Sequence, residues 1–313
     1  MALETRLVEH PILLIAPPKP RYDSEDCSNF AMQRFIRRYD LLRATGLDVR
    51  VLGATRDSTE MYRFSLVEKI EALRPGSIVR IRADDPTGVK AICWPRDIFQ
   101  VYLDHVFVNP GYEDKVREIF SQLTEERISV INSYWGQGGF VVRNRNVLVA
   151  SKAVVGPLKQ YAEDVRILES AGYTVFYLPV PKKEDSPSPL ISRMMLNQHI
   201  DTEFNLIHSP KGNILACVNI DYYNMFQEQV DELRELLDAK LHIIPAGIEI
   251  LKKAVNFKSL PNGMIMLPSG CPSTQSFFEA NLGCERVLVA EINSLRDYSG
   301  TGGGLRCMSN LIE

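Results

Sequence analysis

A β-hairpin is encoded by Val255-Asn-Phe-Lys-Ser-Leu-Pro-Asn-Gly-Met-Ile-Met-Leu267. Two β-prone segments flank Asn262-Gly263, a dipeptide that favours a tight turn because both residues tolerate a positive φ. A helix-like stretch follows from about Ser273 to Leu282, and a β-rich run, 286–290, comes after it. The order strand, strand, helix, strand is therefore predicted for this part of the chain.

The same order recurs three more times, with turn residues near Asp104, at Asn144 to Asn146 and at Ser209 to Gly212. The predicted hairpins span 98–109, 140–150 and 204–216, the helices 113–123, 158–171 and 223–237, and the closing strands 128–131, 174–178 and 241–244. Successive turns lie roughly 40 to 65 residues apart, close to the periods that are typical of propellers and repeat arrays.

A fifth copy is predicted from the two ends of the chain. Residues 308–312 supply its first strand, 11–16 the second, 29–45 the helix and 47–52 the last strand. Closing a ring in this way leaves no exposed sheet edge. We predict an α/β fold: a five-bladed α/β propeller of pseudo-fivefold ββαβ repeats, closed by pairing of the N- and C-terminal strands. The alternative is an α+β domain whose hairpins merely look alike.

A single domain is predicted over 1–313, with residues 59–83 as an inserted helix and strand. The chain is 45% hydrophobic and 24% charged, and its net charge of −3 argues against a nucleic-acid partner. Its apolar runs are too short to cross a membrane. The N-terminus lacks the apolar core of a signal peptide, and the six cysteines form no CxxC pair and no metal-binding spacing. We therefore expect reduced thiols and a cytoplasmic protein without a metal.

Unusual polar motifs precede the first strands of four of the five predicted repeats. They are Trp94-Pro-Arg-Asp97, Trp135-Gly-Gln-Gly-Gly139, Asn197-Gln-His-Ile-Asp201 and Gly302-Gly-Gly-Leu-Arg-Cys307. Equivalent positions in a ring of like units point to the central axis. We therefore expect these four motifs to converge.

The chemistry of such a convergence can be inferred from the side chains. Cys307 is the candidate nucleophile, and His199 is its candidate general base and later general acid. Asp97 and Asp201 suit a planar cation that carries several N–H donors, such as a guanidinium.

Each signal also has a simpler interpretation. A single cysteine close to the C-terminus is usually inert, a glycine run is usually a flexible tail, and a tryptophan such as Trp94 or Trp135 is usually a core anchor. The functional interpretation of the two tryptophans is that they form apolar walls which exclude water from the substrate.

The motifs resemble those of the pentein-fold guanidino-group-modifying enzymes: arginine and agmatine deiminases, dimethylarginine dimethylaminohydrolases and arginine:glycine amidinotransferases. His199-Ile-Asp-Thr-Glu-Phe204 is similar to their His-x-Asp-x-x-Phe motif, Gly303-Gly-Leu-Arg-Cys-Met-Ser309 to their nucleophile motif, and Arg96-Asp97 to their substrate-binding pair. The resemblance implies a five-bladed α/β propeller and a covalent Cys307–amidino intermediate, formed without metal or organic cofactor.

One position departs from the family. Glu or Asp usually precedes the small-residue pair that Gly138-Gly139 resembles, and here that position is Gln137. Gln137 could still orient His199 by a hydrogen bond, but it removes a negative charge from the substrate site. Arg306 is a further substrate-binding candidate, with a structural role as the alternative.

Three functions stay open at this point. The first is a hydrolase of the deiminase or dihydrolase type that acts on arginine or another guanidino compound. The second is an amidinotransferase that passes the amidino group to an acceptor amine, and the third is a non-catalytic binding protein on the same fold. The expected partner is a small guanidino substrate, and a homo-oligomer is left open.

Overall fold

Five small sheets are formed by the residues that the computed structural model describes, which are 10–16, 25–56, 62–67, 95–102, 105–124, 128–152, 158–179, 199–292 and 304–312. Contacts divide the chain into two compact units. Unit 1 comprises Met1–Gly138, Asn293–Thr301 and Cys307–Glu313, and unit 2 comprises Gly139–Ile292 and Gly302–Arg306.

The regular elements are numbered in chain order. The strands are β1 Ile12–Ile15, β2 Asp48–Arg56, β3 Tyr62–Val67, β4 Phe99–Tyr102, β5 His105–Val108, β6 Ser129–Asn132, β7 Val141–Asn144, β8 Val147–Ser151, β9 Thr174–Leu178, β10 Phe204–His208, β11 Ile214–Asn219, β12 Ala239–Ile244, β13 Lys258–Ser259, β14 Ile265–Pro268, β15 Val287–Ala290 and β16 Ser309–Ile312. The α-helices are α1 Glu25–Arg43, α2 Glu113–Phe120, α3 Leu158–Ser170, α4 Ile220–Met225, α5 Gln227–Leu236, α6 Ile248–Leu251 and α7 Pro272–Leu282.

One pairing pattern is common to all five sheets. The first strand of each repeat pairs antiparallel with the second, and the second pairs parallel with the third after a helical crossover. A hairpin followed by a crossover gives this combination, since parallel neighbours need a long connection. The predicted ββαβ unit is therefore confirmed within the described residues.

Two of the hairpins turn in the same way. The N–H of Gly263 donates to the carbonyl of Leu260 over 3.0 Å, and the N–H of Gly212 donates to that of Ser209 over 2.9 Å. Both glycines have a positive φ, 76° and 90°. A proline at the second turn position and a left-handed glycine at the fourth favour such a turn, so the local sequence fixes the register of both hairpins.

In unit 1 the two ends of the chain pair with each other. Strand β1 runs antiparallel to β16, with Leu14 opposite Asn310, and parallel to β2. This confirms the predicted pairing of the terminal strands. Strand β3 extends the same sheet antiparallel to β2 and lies within the predicted insertion, of which residues 59–61 and 68–83 lie outside the described residues.

In unit 2 the central strand β11 is buried on both faces. Leu215 and Cys217 pack into a cluster with the residues of β14 and α7, while Ala216 and Val218 face a second cluster with residues of β8 and α5. Successive side chains of a strand point to opposite faces of its sheet. This sheet therefore lies between two apolar layers, which explains why its central strand is almost entirely apolar.

The helices differ from the prediction in two places. The helix predicted over 223–237 is two helices, α4 and α5, because Phe226 between them has φ −131° and ψ 36°, outside the helical region. The short helix α6 was not predicted. No helix among the described residues combines the length and the hydrophobicity that crossing a membrane requires.

Candidate functional site

His199 and Asp201 lie at the entrance to β10, in unit 2. A 3₁₀ turn, Ile200–Thr202, follows His199 directly, and the hydroxyl of Thr202 donates to the carbonyl of His199 over 2.9 Å. The histidine is half-buried, whereas Asp201 is fully buried. The turn therefore places an imidazole and a buried carboxylate two residues apart.

The imidazole of His199 lies directly against Gly139 and Phe140. A Cβ on Gly139 would overlap three ring atoms of His199, among them Nδ1. The Phe140 ring contacts the imidazole edge to face, with 5.3 Å between ring centroids and an interplanar angle of 84°. Glycine is thus required at 139 for a steric reason, and the two residues together fix the orientation of the imidazole.

We expect Gly139→Ala to lower kcat about 10²-fold, because a shift of the imidazole by about 1 Å suffices for a loss of that size. The measurement is steady-state turnover of the guanidino compounds that the sequence motifs predict as substrates. Gly172→Ala is the control, since a Cβ on Gly172, which has a φ of 87°, would meet no atom within 4 Å. A kcat of Gly139→Ala within threefold of the wild type would contradict the steric role.

Arg306 lies beside Asp201 in the interior of unit 2. Its Nε is 3.9 Å from Oδ2 of Asp201, and the two side chains are 2% and 0% exposed. Its Nη1 donates to Oδ1 of Asn205 over 2.9 Å, and its Nη2 lies 3.5 Å from the carbonyl oxygen of Val141. These contacts favour the structural alternative for Arg306, and its binding of substrate stays a prediction.

Asn205 and Asn256 are buried residues that the sequence did not single out for a role. Asn205 donates through Nδ2 to the carbonyls of Val255 and Phe257 over 2.9 and 3.0 Å. It thereby joins β10 to the next sheet of unit 2. The sequence did contain a signal for Asn205, which is a polar residue within an otherwise apolar first strand. A buried amide needs hydrogen-bond partners, so such a position indicates a structural role.

Glu203 is a further titratable group of the same turn. Burial raises its pKa to about 7 from the ordinary value of 4.5, although hydrogen bonds from Asn219 and Thr202 and the charge of Lys253 oppose the shift. Nδ2 of Asn219 donates to Oε2 over 3.1 Å, and Oγ1 of Thr202 lies 3.2 Å from Oε1. The carboxyl group is therefore about half protonated near neutral pH.

A pH dependence of stability follows from the raised pKa of Glu203. The folded protein holds this proton more tightly than the unfolded chain, so the stability due to Glu203 is complete below about pH 4.5 and is lost as the pH rises through about 7. The complete effect of such a shift is about 3 kcal/mol, and partial exposure reduces the expected loss to about 1–2 kcal/mol.

Glu203→Gln is expected to remove that loss, because a neutral amide can accept from Asn219 and donate to Thr202. The measurement is urea unfolding of both proteins at pH 5 and pH 8. Glu235→Gln, at a surface side chain that is 74% exposed, is the matched control. If the wild type and Glu203→Gln lose the same free energy of unfolding between the two pH values, the raised pKa is refuted.

Asp97 belongs to unit 1 and ends a 3₁₀ turn, Pro95–Asp97. It is half-buried, and its carbonyl accepts from Nδ2 of Asn109 over 2.9 Å. Arg96 is buried and donates through Nε to the carbonyl of Gly138 over 3.1 Å. Burial and the charge of Asp97 both raise the pKa of Tyr112. Tyr112 is thus a neighbour of the Asp97 carboxylate that the sequence did not identify.

Trp135 and Gln137 also belong to unit 1, on either side of Gly136. Trp135 is fully buried, and its carbonyl accepts from the hydroxyl of Tyr102 over 3.2 Å. Gln137 is half-buried and follows the turn Tyr134–Gly136, where its N–H donates to the carbonyl of Tyr134. The burial of Trp135 favours the core-anchor alternative, and the substrate contacts of Trp135 and Gln137 stay predictions. Trp94 lies outside the described residues.

Cys307 belongs to unit 1, lies in the turn that leads into β16 and is 3% exposed. The next residue, Met308, accepts from the N–H of Ala16 over 3.0 Å. Asn310 donates through Nδ2 to the carbonyl of Phe99 over 2.8 Å and so joins β16 to β4. These contacts anchor the chain on the C-terminal side of Cys307. Among the described residues, no three His, Cys, Asp or Glu side chains are placed to hold a metal ion.

Comparison with known proteins gives a result at the level of the fold. No family model and no curated protein matches this sequence. Solved structures do match over nearly the whole chain. C. jejuni agmatine deiminase is 14% identical, with 100% of this chain and 96% of that chain covered and a TM-score of 0.62.

Two further matches carry related names. Dimethylarginine dimethylaminohydrolase from Pseudomonas aeruginosa, solved with citrulline, is 13% identical with coverages of 96% and 99% and a TM-score of 0.59. Inosamine-phosphate amidinotransferase from Streptomyces griseus is 10% identical with coverages of 100% and 96% and a TM-score of 0.56. The resemblance predicted from the motifs is confirmed at the level of structure: this chain has the fold of the pentein-type guanidino-group-modifying enzymes.

Proposed function

We propose that this protein is a hydrolase of the deiminase or dihydrolase type, which acts on arginine or another guanidino compound through a covalent Cys307–amidino intermediate. The observation that carries the proposal is the entrance to β10, where a sterically fixed imidazole precedes a fully buried carboxylate by two residues. It occurs in a fold shared with deiminases, a dihydrolase and amidinotransferases.

Binding of the substrate is assigned to the two aspartates. A guanidinium offers N–H donors in a planar fork that suits carboxylate oxygens. The Asp201 side chain is fully buried beside Arg306, and its backbone carbonyl accepts from Asn256, so little reorganisation is needed when a substrate binds. Asp97 would take other N–H groups of the same substrate.

The first chemical step replaces a C–N bond by a C–S bond. Cys307 gives its thiol proton to His199, and the thiolate bonds to the central guanidinium carbon. His199 then returns the proton to the departing nitrogen, which leaves as an amine or as ammonia.

The second step releases the enzyme. His199 deprotonates a water molecule that attacks the amidino carbon, and the C–S bond breaks with its electron pair on the sulfur of Cys307. His199 returns the proton to that sulfur, and a ureido product leaves. No oxidant or reductant is consumed in either step.

An amidinotransferase is the second candidate, because two structures with this fold carry that name, one of them acting in saxitoxin biosynthesis. In that case an acceptor amine replaces water in the second step. Cys307 and His199 argue against the third candidate, a non-catalytic binding protein, whereas Gln137, in place of the carboxylate that the resembling enzymes usually carry, leaves it open.

The proposal includes the predicted closure of the five sheets into a five-bladed propeller as one domain, which the pairing of β1 with β16 supports.

One assay separates the three candidates. The protein is incubated with arginine, agmatine and methylated arginines, with and without glycine, and ammonia, ureido products and new guanidino products are quantified. A ureido product supports the hydrolase, and a new guanidino product that needs glycine supports the transferase. If no substrate is turned over and a haloacetamidine fails to label Cys307, the catalytic proposal is wrong.

A further inference from the structure

Asn256 joins two segments of unit 2 that carry candidate catalytic motifs. It is fully buried at the end of the 3₁₀ turn Ala254–Asn256. Its Nδ2 donates to the carbonyl of Asp201 over 2.9 Å, and its Oδ1 accepts from the N–H of Arg306 over 3.0 Å. The backbone carbonyl of Asn256 accepts from the same N–H over 3.1 Å. One side chain thus links the backbone of the His-x-Asp motif to the backbone that precedes Cys307.

The glycine-rich segment packs closely on the same side chain. A Cβ on Gly304 would lie 2.6 Å from Oδ1 and 2.7 Å from Cβ of Asn256, which is too close for any residue other than glycine. Glycine at 304 is therefore needed for a close approach between this segment and Asn256.

Only a carboxamide suits this position at neutral pH. It has a donor and an acceptor at the same end of the side chain, whereas an ionised aspartate cannot donate and leucine can do neither. The turn that carries Asn256 is itself held, because Asn205 donates to the carbonyls of the residues on either side of it. Asn256 is therefore hydrogen-bonded to the backbone of both Asp201 and Arg306, and the turn that carries it is fixed by Asn205.

We propose that Asn256 is a positioning residue that holds the backbone of Arg306, the residue before Cys307, against the backbone of Asp201. The inference rests on the proposed function, since Cys307 and His199 are its nucleophile and base. Asn256 acts through the backbone of Asp201 and Arg306. Its loss is therefore expected to impair the chemical step more than substrate binding.

Asn256→Ala is expected to lower kcat about 10²-fold while KM changes less than threefold, because a displaced nucleophile reacts slowly even when the substrate is bound. Alkylation of Cys307 by a haloacetamidine is expected to slow by a similar factor. Asn144→Ala is the matched control. Asn144 also joins two sheets of unit 2 by accepting from a backbone N–H, that of His208, over 3.0 Å, and it belongs to neither motif.

Asn256→Asp supplies a pH readout that a purely structural role would not give. The ionised side chain presents a second acceptor to the carbonyl of Asp201, whereas the protonated side chain can donate to it. The ratio of variant to wild-type kcat is therefore expected to rise as the pH is lowered. This variant also keeps the proposal testable if Asn256→Ala fails to fold.

Amide hydrogen exchange separates a failure of this inference from a failure of the proposed function. A peptide that contains Arg306 is expected to exchange at least tenfold faster in Asn256→Ala than in the wild type or in Asn144→Ala. If the wild type turns over no guanidino compound, the proposed function is wrong. If the peptide that contains Arg306 exchanges equally fast in Asn256→Ala and in the wild type, the positioning role is wrong, whatever the outcome for the proposed function. A kcat within threefold of the wild type, or equal losses in Asn256→Ala and Asn144→Ala, would also overturn it.

Discussion

Replacing Cys307 with serine is expected to lower kcat by at least about 10³-fold, because the proposed reaction passes through a bond to its sulfur. A hydroxyl in the same place is a far weaker nucleophile near neutral pH. The variant should still bind the substrate, since the carboxylates assigned to the guanidinium are untouched. The measurement is kcat, together with binding of the substrate by calorimetry.

Cys271→Ser is the matched control for that experiment. Cys271 is also a buried cysteine, and burial raises its pKa to about 12, with a further contribution from the charge of Glu249. Burial likewise raises the pKa of Cys217. Such thiols stay protonated and unreactive at neutral pH. We expect Cys271→Ser to keep kcat within threefold of the wild type.

Labelling gives a second test of Cys307. A haloacetamidine mimics a guanidinium and alkylates a thiolate, so substrate should protect Cys307 from it and leave the labelling of exposed Cys284 unchanged. Equal labelling of Cys307 and Cys271, or labelling of Cys307 that substrate does not reduce, would contradict the assignment of Cys307 as nucleophile.

Features of the fold that depend on neighbouring residues could be predicted from the sequence. Proline and glycine fix the turns at 209–212 and 260–263, and the strands around them follow from apolar runs. The pairing of the two terminal strands could also be predicted, although its partners are about 300 residues apart. The repeat at the N-terminus lacks its first strand, and the C-terminus supplies one strand that belongs to no other repeat.

Features that depend on distant partners could not be predicted in the same way. Asn205 acquires its role from two carbonyls that lie 50 and 52 residues further along the chain. Arg306 could be assigned to substrate or to structure, because nothing in its neighbours in sequence specifies which carboxylate it approaches. For Trp135 the sequence alone was sufficient. A tryptophan is most often a core anchor, and Trp135 is completely buried.

Replacing Arg306 with methionine is expected to reduce the free energy of unfolding by about 3–5 kcal/mol, because it leaves the Asp201 carboxylate buried without this neighbouring cation. Methionine keeps much of the side-chain volume, so the loss is mainly electrostatic. Asn205 also loses the donor at Nη1. The measurement is the midpoint and slope of guanidinium chloride unfolding.

Arg234→Met is the control, since Arg234 is 41% exposed and lies 3.2 Å from Glu235 and 3.6 Å from Asp231 on the surface of α5. Exposed ion pairs contribute about 0–1 kcal/mol, so this variant should unfold almost as the wild type does. If both variants lose the same free energy, the buried pair has no special contribution.

Arg306→Lys and a double variant distinguish charge from geometry. Lysine keeps the positive charge but lacks the fork of N–H donors, so Arg306→Lys should keep part of the stability that Arg306→Met loses. In Arg306→Met/Asp201→Asn the buried charge is gone, so the combined loss should be smaller than the sum of the two single losses. Strict additivity would show that Arg306 and Asp201 do not interact. The proposed structural role of Arg306 would then be confined to its contacts with Asn205 and Val141.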